Sequence, residues 1–230
     1  SSDLVISGNT NDGIQVLGSP TTPTTNTWVV GNLIGTDASG HTALGNGRNG
    51  ILLSQADNNL IGYRSPDGTP SNLPHNVISG NGKDGIEING ASGNIVGWNL
   101  IGTDVTGESA VPNVYSGISI FSVDRPTTNN QIGGLGPGSR NVISGNKDLG
   151  IFVTGMGSTG NVIQGNYIGT DAAGTAKLGN AFAGVYMKDT QDNFIGSDSS
   201  GIAVPAYRNV ISGNGMSGVE LGGSRHIVVA

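Results

Sequence analysis

The sequence predicts an all-β chain wound as a parallel solenoid of about 6 to 7 turns of about 34 residues each. Two recurring strings and one regular spacing carry that expectation. Val-Ile-Ser-Gly-Asn starts at Val5, Val77, Val142 and Val210, and Ile-Gly-Thr-Asp starts at Ile34, Ile101 and Ile168. Both lead into Gly-Asn-x-x-x-Gly-[Ile/Val], whose last glycine is Gly13, Gly50, Gly85, Gly117, Gly150, Gly184 and Gly218, with only Pro112 departing in the first position. Successive glycines of that set lie 37, 35, 32, 33, 34 and 34 residues apart.

Each unit holds three short strand-like segments. One is Gly-[Ile/Val]-x-[Ile/Leu/Val/Met]. The next is Asn-x-Ile/Val, at Asn59, Asn94, Asn130, Asn161 and Asn193, with Thr27 and His226 in the equivalent places. The last is either VISGN or xIGTD, so two unit types alternate in a double unit of about 67 residues. Apolar and polar residues alternate over three to five positions between Gly, Asn, Asp and Ser, which is strand and turn chemistry without helical periodicity. Stacking at about 4.8 Å per turn predicts a rod about 30 Å long, with length differences such as 63–75 against 134–140 absorbed in loops.

Composition narrows the function. With 41 glycines, no cysteine and 11% charged residues, the chain cannot hold a disulfide, a thiol nucleophile or a Cys-ligated zinc. His41, His75 and His226 have no metal-binding spacing, so neither a metal nor a cofactor is expected. A net charge of −6 with scattered basic residues excludes a phosphate-neutralising stripe, hence no nucleic acid. No apolar run reaches the length of a membrane span, so no membrane insertion is expected, and the first residues carry no signal-peptide pattern.

NVISGNxxxGI and NxIGTDxxGxxxLGNxxxGI resemble the right-handed parallel β-helix repeats of large secreted or surface bacterial proteins, which are distantly similar to pectate-lyase-like carbohydrate-active proteins. The resemblance covers essentially the whole chain. It implies a right-handed coil, an extracellular or cell-surface setting and a polysaccharide as candidate partner. A fold does not fix a function, so these motifs specify the fold more than an activity.

Residues needed in every turn are read as scaffold. Asn9, Asn46, Asn81, Asn113, Asn146, Asn180 and Asn214 are expected to stack as an asparagine ladder, because buried amides require partners. Neighbouring glycines are expected to permit positive φ in the bends. Asp37, Asp104 and Asp171 invite a calcium reading, but one carboxylate per loop on alternate turns falls far short of six to eight oxygens, which favours Asx turns.

Function is therefore sought among outward residues that do not repeat. One outward column of the Gly-Ile strand runs Gln15, Leu52, Glu87, Ser119, Phe152, Tyr186 and Glu220, and a second contains Ser54, Asn89, Phe121, Thr154 and Lys188. Loops 36–49, 103–116 and 170–183 could wall one side of a groove there. Phe152, Tyr186, Lys188 and Glu220 form the candidate glycan contact, with aromatics to stack on sugar rings and ionic groups to take hydroxyls; an ordinary exposed strand is the competing reading.

Paired catalytic carboxyls would have to lie on neighbouring turns or two turns apart. Glu87 has Leu52 and Ser119 as column neighbours, and Glu220 has Tyr186, with Asp189 displaced along the chain. Asp57 and Asp124 share a column in turns, Asp124-Arg125 is the thin candidate for lyase chemistry, and a His41, Glu108 and Thr175 column is thinner; no cluster of three acids beside Arg or Lys is legible. The three histidines lie in different registers, no nucleophile elbow is present, and threonines recur too sparsely for an ice-binding array. The expectation is a non-catalytic structural or glycan-contacting module, with a polysaccharide lyase or glycoside hydrolase as the alternative and catalytic residues unassigned. Residues 1–230 are expected to form one β-helix domain, a fragment of a longer solenoid whose uncapped ends favour end-to-end self-association.

Overall fold

A computed structural model describes residues 4–65, 67, 69 and 74–230. The chain coils through three parallel sheets of seven strands each. The first sheet carries Val5–Ile6, Leu33–Ile34, Asn76–Ile78, Asn99–Ile101, Val142–Ile143, Tyr167–Ile168 and Val210–Ile211, the second runs from Ile14–Leu17 to Val219–Gly222, and the third from Trp28–Val29 to Val228–Val229. Every strand pairs with its equivalent one repeat away, as in Ile86↔Ile118 and Leu100↔Val142. Among the described residues the only helical segments are the 3-10 turns Pro137–Ser139 and Pro205–Tyr207, and no helix is long and apolar enough to cross a membrane.

Inside the coil, like residues stack on like. Ile34, Ile78, Ile101, Ile143 and Ile168 line the first sheet, and Ile51, Ile86, Ile118 and Ile151 the second, all fully buried. Burying each such side chain stabilises the coil by about 1.5–3 kcal/mol relative to exposure. A β-branched column suits this stacking, because restricted χ1 angles bring identical side chains into the same contact at each step.

The corners are held by three amide ladders. At the first, Asn9 Nδ2 donates to Asn46 Oδ1 at 2.8 Å, and the chain of bonds continues through Asn81, Asn113, Asn146 and Asn180 to Asn214. The second runs Asn59, Asn94, Asn130, Asn161, Asn193. The sequence marks the second set as a recurring column rather than a ladder, and a third ladder, Asn32, Asn76, Asn99, Asn141, Asn166, Asn209, is not singled out there. Its signal was present: an asparagine precedes the Val-Ile, Leu-Ile or Tyr-Ile pair in each of these repeats.

Two kinds of glycine serve the corners differently. Gly8, Gly80, Gly145 and Gly213, each just before a ladder asparagine, have φ between 70° and 76°. The glycine that ends the shared motif is required by space instead: a Cβ on Gly117 would lie 2.6 Å from Ile143 Cγ2 and 2.8 Å from the Gly150 carbonyl oxygen.

Alternation of the two unit types also has a physical origin. The IGTD segments continue into hairpin-like loops closed by the antiparallel bridges Thr36↔Ala43, Thr103↔Ala110 and Thr170↔Lys177. Loops two coils apart touch directly, Val105 N–H donating to the Gly40 carbonyl and Ala172 N–H to the Gly107 carbonyl, both at 3.0 Å. A loop of that length on the intervening coil would have no room. The stack also lies over outward residues of the first sheet, with Leu33 beside Gly40, Leu100 beside Gly107 and Tyr167 beside Gly174.

Candidate functional site

The second sheet presents the outward columns in the expected register. Pairing runs Gln15↔Leu52↔Glu87↔Ser119↔Phe152↔Tyr186↔Glu220, and beside it Ser54↔Asn89↔Phe121↔Thr154↔Lys188. Phe152 and Tyr186 stack with ring centroids 5.5 Å apart at 27°, and Phe121 meets Phe152 edge-on at 6.0 Å and 78°. The aromatic run is therefore three rings long and spans both columns. Lys188 and Glu220 are exposed, and neither takes part in an ion pair among the described residues.

Below this run the face opens into a groove of about 430 Å³. One wall is a stacked column that the sequence did not single out, Arg48, Lys83, Tyr115 and Asp148. Its first three members are joined by backbone bonds of 2.9 and 3.0 Å from Lys83 to Arg48 and from Tyr115 to Lys83. Opposite lie Glu87, Asn89, Phe121 and Phe152. Three carboxyl groups, Asp84, Glu87 and Asp148, thus line one groove with Arg48 and Lys83. The bend at Gly85 brings Asp84 onto the side of the coil that Glu87 faces.

Asp84 is the most constrained of the three. It is 7% exposed, and its Oδ1 accepts the Ser116 N–H at 2.9 Å. Asn49 bridges it to its neighbour: the Asn49 amide oxygen accepts the Asp84 N–H at 3.2 Å while its Nδ2 donates to Glu87 Oε2 at 2.9 Å. Burial raises the Asp84 pKa to about 6 against hydrogen bonds from Ser119 and Ser116, and the Glu87 charge adds to the rise. Burial also pushes Asp148 above the usual carboxylate range. Ser119, although in the outward column, is 1% exposed in the groove floor and hydrogen-bonds Asp84.

Other sequence candidates separate. Asp57 is engaged by other groups: its Oδ2 takes a short hydrogen bond from the Arg125 guanidinium, which also donates to the Gly90 carbonyl, while Asp57 Oδ1 accepts the Ser92 N–H at 2.8 Å. That ion pair clamps coils two apart. The His41 ring Nδ1 meets Asp104 Oδ2 at 3.0 Å. Glu108 and Thr175 instead donate their backbone N–H groups to Asp104 and Asp171. The loop aspartates close turns on themselves: Asp37 Oδ1 accepts Ser39 Oγ and Thr42 N–H, and Asp171 Oδ1 accepts Thr175 and Ala176 N–H. Among the described residues no three His, Asp or Glu side chains are grouped to hold a metal ion. His226 does not stand in the second ladder's column as the sequence suggests: Phe194 pairs with Val228, which sets Ile227 opposite Asn193 and His226 opposite Asp192, with which it pairs at the surface, 3.4 Å away.

No family model matches the sequence, and no curated protein matches it. Among solved structures the chain is similar to the periplasmic alginate epimerase AlgG. The two share 16% identity and a TM-score of 0.34 over 97% of this chain and 43% of that one. The chain thus spans less than half of that protein's length, and a likeness this distant bears on no residue of the groove.

Proposed function

We propose that this chain is a glycan-contacting β-helix module of an exported or cell-surface protein, and that an extended polysaccharide lies along the outer face of the second sheet. The observation that carries the reading is the continuous run Phe121, Phe152 and Tyr186, which leads into a groove lined by carboxyl, amide, hydroxyl and basic groups. Sugar rings have apolar C–H faces and hydroxyl rims, so an aromatic run beside mixed donors and acceptors matches them. Lys188 and Glu220 stand beside Tyr186 as hydroxyl partners. The exported setting rests on the resemblance of the repeats.

A specific feature favours a second reading, cleavage of the bound glycan. Asp84 keeps its proton to about pH 6 in the groove it shares with Glu87, and a carboxyl with a raised pKa suits the general acid of a cleavage reaction. In a hydrolysis the Asp84 proton would pass to the glycosidic oxygen as the C–O bond breaks, and Glu87 would take a proton from the water that adds to the sugar carbon.

A glycan array together with reducing-end and unsaturated-uronate assays on the array's best ligand tests both readings. Binding without product supports the contact module, and product formation that Asp84→Asn abolishes supports cleavage. Absence of binding to any glycan overturns both.

A further inference from the structure

Glutamine interrupts a column of glycines on the opposite side of the coil. Along the third sheet, Gly62 pairs with Gly97 and Gly133 pairs with Gln164, and Gly196 follows Ile195 in the same register position. A side chain has no space at Gly97, where a Cβ would lie 2.5 Å from the Tyr63 carbonyl oxygen. At Gln164 the column carries a side chain, with the residue only 6% exposed. Its amide oxygen is buried and has no hydrogen-bond partner. A buried acceptor left without a donor costs stability, and a scaffold that uses glycine elsewhere in this column has no need of it.

Gln164 lines a recess of about 380 Å³, within the range of small-molecule pockets. Loops of alternate coils enclose it. Arg64 and Ser65 come from one, Leu135 from the next, and Asp198, Ser199 and Tyr207 from the third, with Gln131 and Val162 on the sheet. The loops are tied together, Ser65 N–H donating to Ser139 Oγ at 2.8 Å and Gly136 N–H to the Ala206 carbonyl at 3.2 Å. The recess is rich in acceptors. Gln131 spends its Nε2 on the Gly133 carbonyl, leaving its oxygen without a partner among the described residues. Asp198 uses Oδ1 for the Ser200 and Ile202 N–H groups, leaving Oδ2 likewise. Arg64 and Asp198 balance in charge, so no strongly charged ligand is selected.

We infer that this recess is a second ligand site, separate from the second-sheet face, and that it takes a neutral polyhydroxylated ring of monosaccharide size whose hydroxyls donate to Gln164, Gln131 and Asp198. Such a ring supplies the missing donors, and its C–H face can lie on Leu135 and Val162. The inference does not rest on the glycan reading of the aromatic face.

The test is a titration of isotopically labelled protein followed by NMR, with glucose, galactose, mannose and N-acetylglucosamine as probes, each to about 50 mM so that a Kd near 1 mM is saturated. At least one sugar should shift the Gln164 side-chain amide and the Tyr207 and Val162 backbone signals, without shifting Phe152 or Tyr186. Gln164→Gly, which restores the residue of the column, should keep the remaining spectrum and weaken that sugar at least tenfold. A recess filled by solvent alone, seen as no shift at Gln164 with any sugar, would overturn the inference, and so would equal affinity in Gln164→Gly. Shifts confined to Phe152 and Tyr186 would support the face while overturning this site.

Discussion

Asn49 donates from Nδ2 to Glu87 Oε2 at 2.9 Å and accepts the Asp84 N–H on its amide oxygen, so one side chain from the preceding coil ties two carboxyl residues of the groove together. The arrangement supplies Glu87 with a donor while Asp84 sits deeper in the groove. Asp84 binds its proton more tightly in the folded chain, where burial raises the pKa to about 6, than in the unfolded chain at 3.8. Its contribution to stability is therefore greatest below pH 4 and is lost as pH rises through 6. Asp84→Asn should be more stable than wild type by about 2–3 kcal/mol at pH 8, with the difference vanishing near pH 3.5. Denaturant midpoints measured across that range check this, and a pH-independent difference would contradict it.

Asn146 sits in mid-ladder, accepting from Asn113 and donating to Asn180, both within 3.0 Å. Asn146→Ala leaves buried groups on two coils without partners and should cost about 1–3 kcal/mol, whereas Lys147→Ala, exposed on the same coil, should stay within about 0.5 kcal/mol. Equal unfolding midpoints would show that the ladder is incidental.

Gly117 tests the close approach of coils. A methyl group there meets a backbone carbonyl and the Ile143 side chain at once, and the stacked backbone cannot retreat without opening the ladder. Gly117→Ala should cost about 2–3 kcal/mol. Calorimetry showing an unchanged Tm would mean that the coils separate more easily than this packing implies.

The loop aspartates bear on metal dependence. Asp104 Oδ1 accepts from Thr106, Glu108 and Ser109 while Oδ2 meets His41. Hydrogen bonds from Ser39 hold Asp37, and backbone N–H groups of Ala176 and Thr175 hold Asp171, below the usual carboxylate range. With those lone pairs engaged, EDTA should leave Tm unchanged. A drop on chelation that calcium restores would overturn the Asx-turn assignment.

Vertical neighbours were legible in the sequence and lateral neighbours were not. A repeat states which residues stack, so the columns through Glu87, Phe152 and Tyr186 and the ladder through Asn146 followed from spacing. Which columns face one another depends on the bend at each corner, and glycine is compatible with many bends. Asp84 precedes Gly85, so its place beside Glu87 emerged only with the corner geometry. Phe121 was assigned to its column, but its edge contact with Phe152 crosses to the next and could not be read from spacing. Gln164 was a visible departure from Ile-Gly, yet its meaning depended on loops whose lengths vary from repeat to repeat.

The most direct test of the glycan-contacting face is calorimetric titration of the oligosaccharide selected on the array into wild type and Phe152→Ala. Removing the central ring of the Phe121, Phe152, Tyr186 run should weaken binding at least tenfold, about 1.4 kcal/mol, with the unfolding midpoint used to confirm that the coil stays intact. Equal affinity of the two proteins for that ligand would contradict the proposed function.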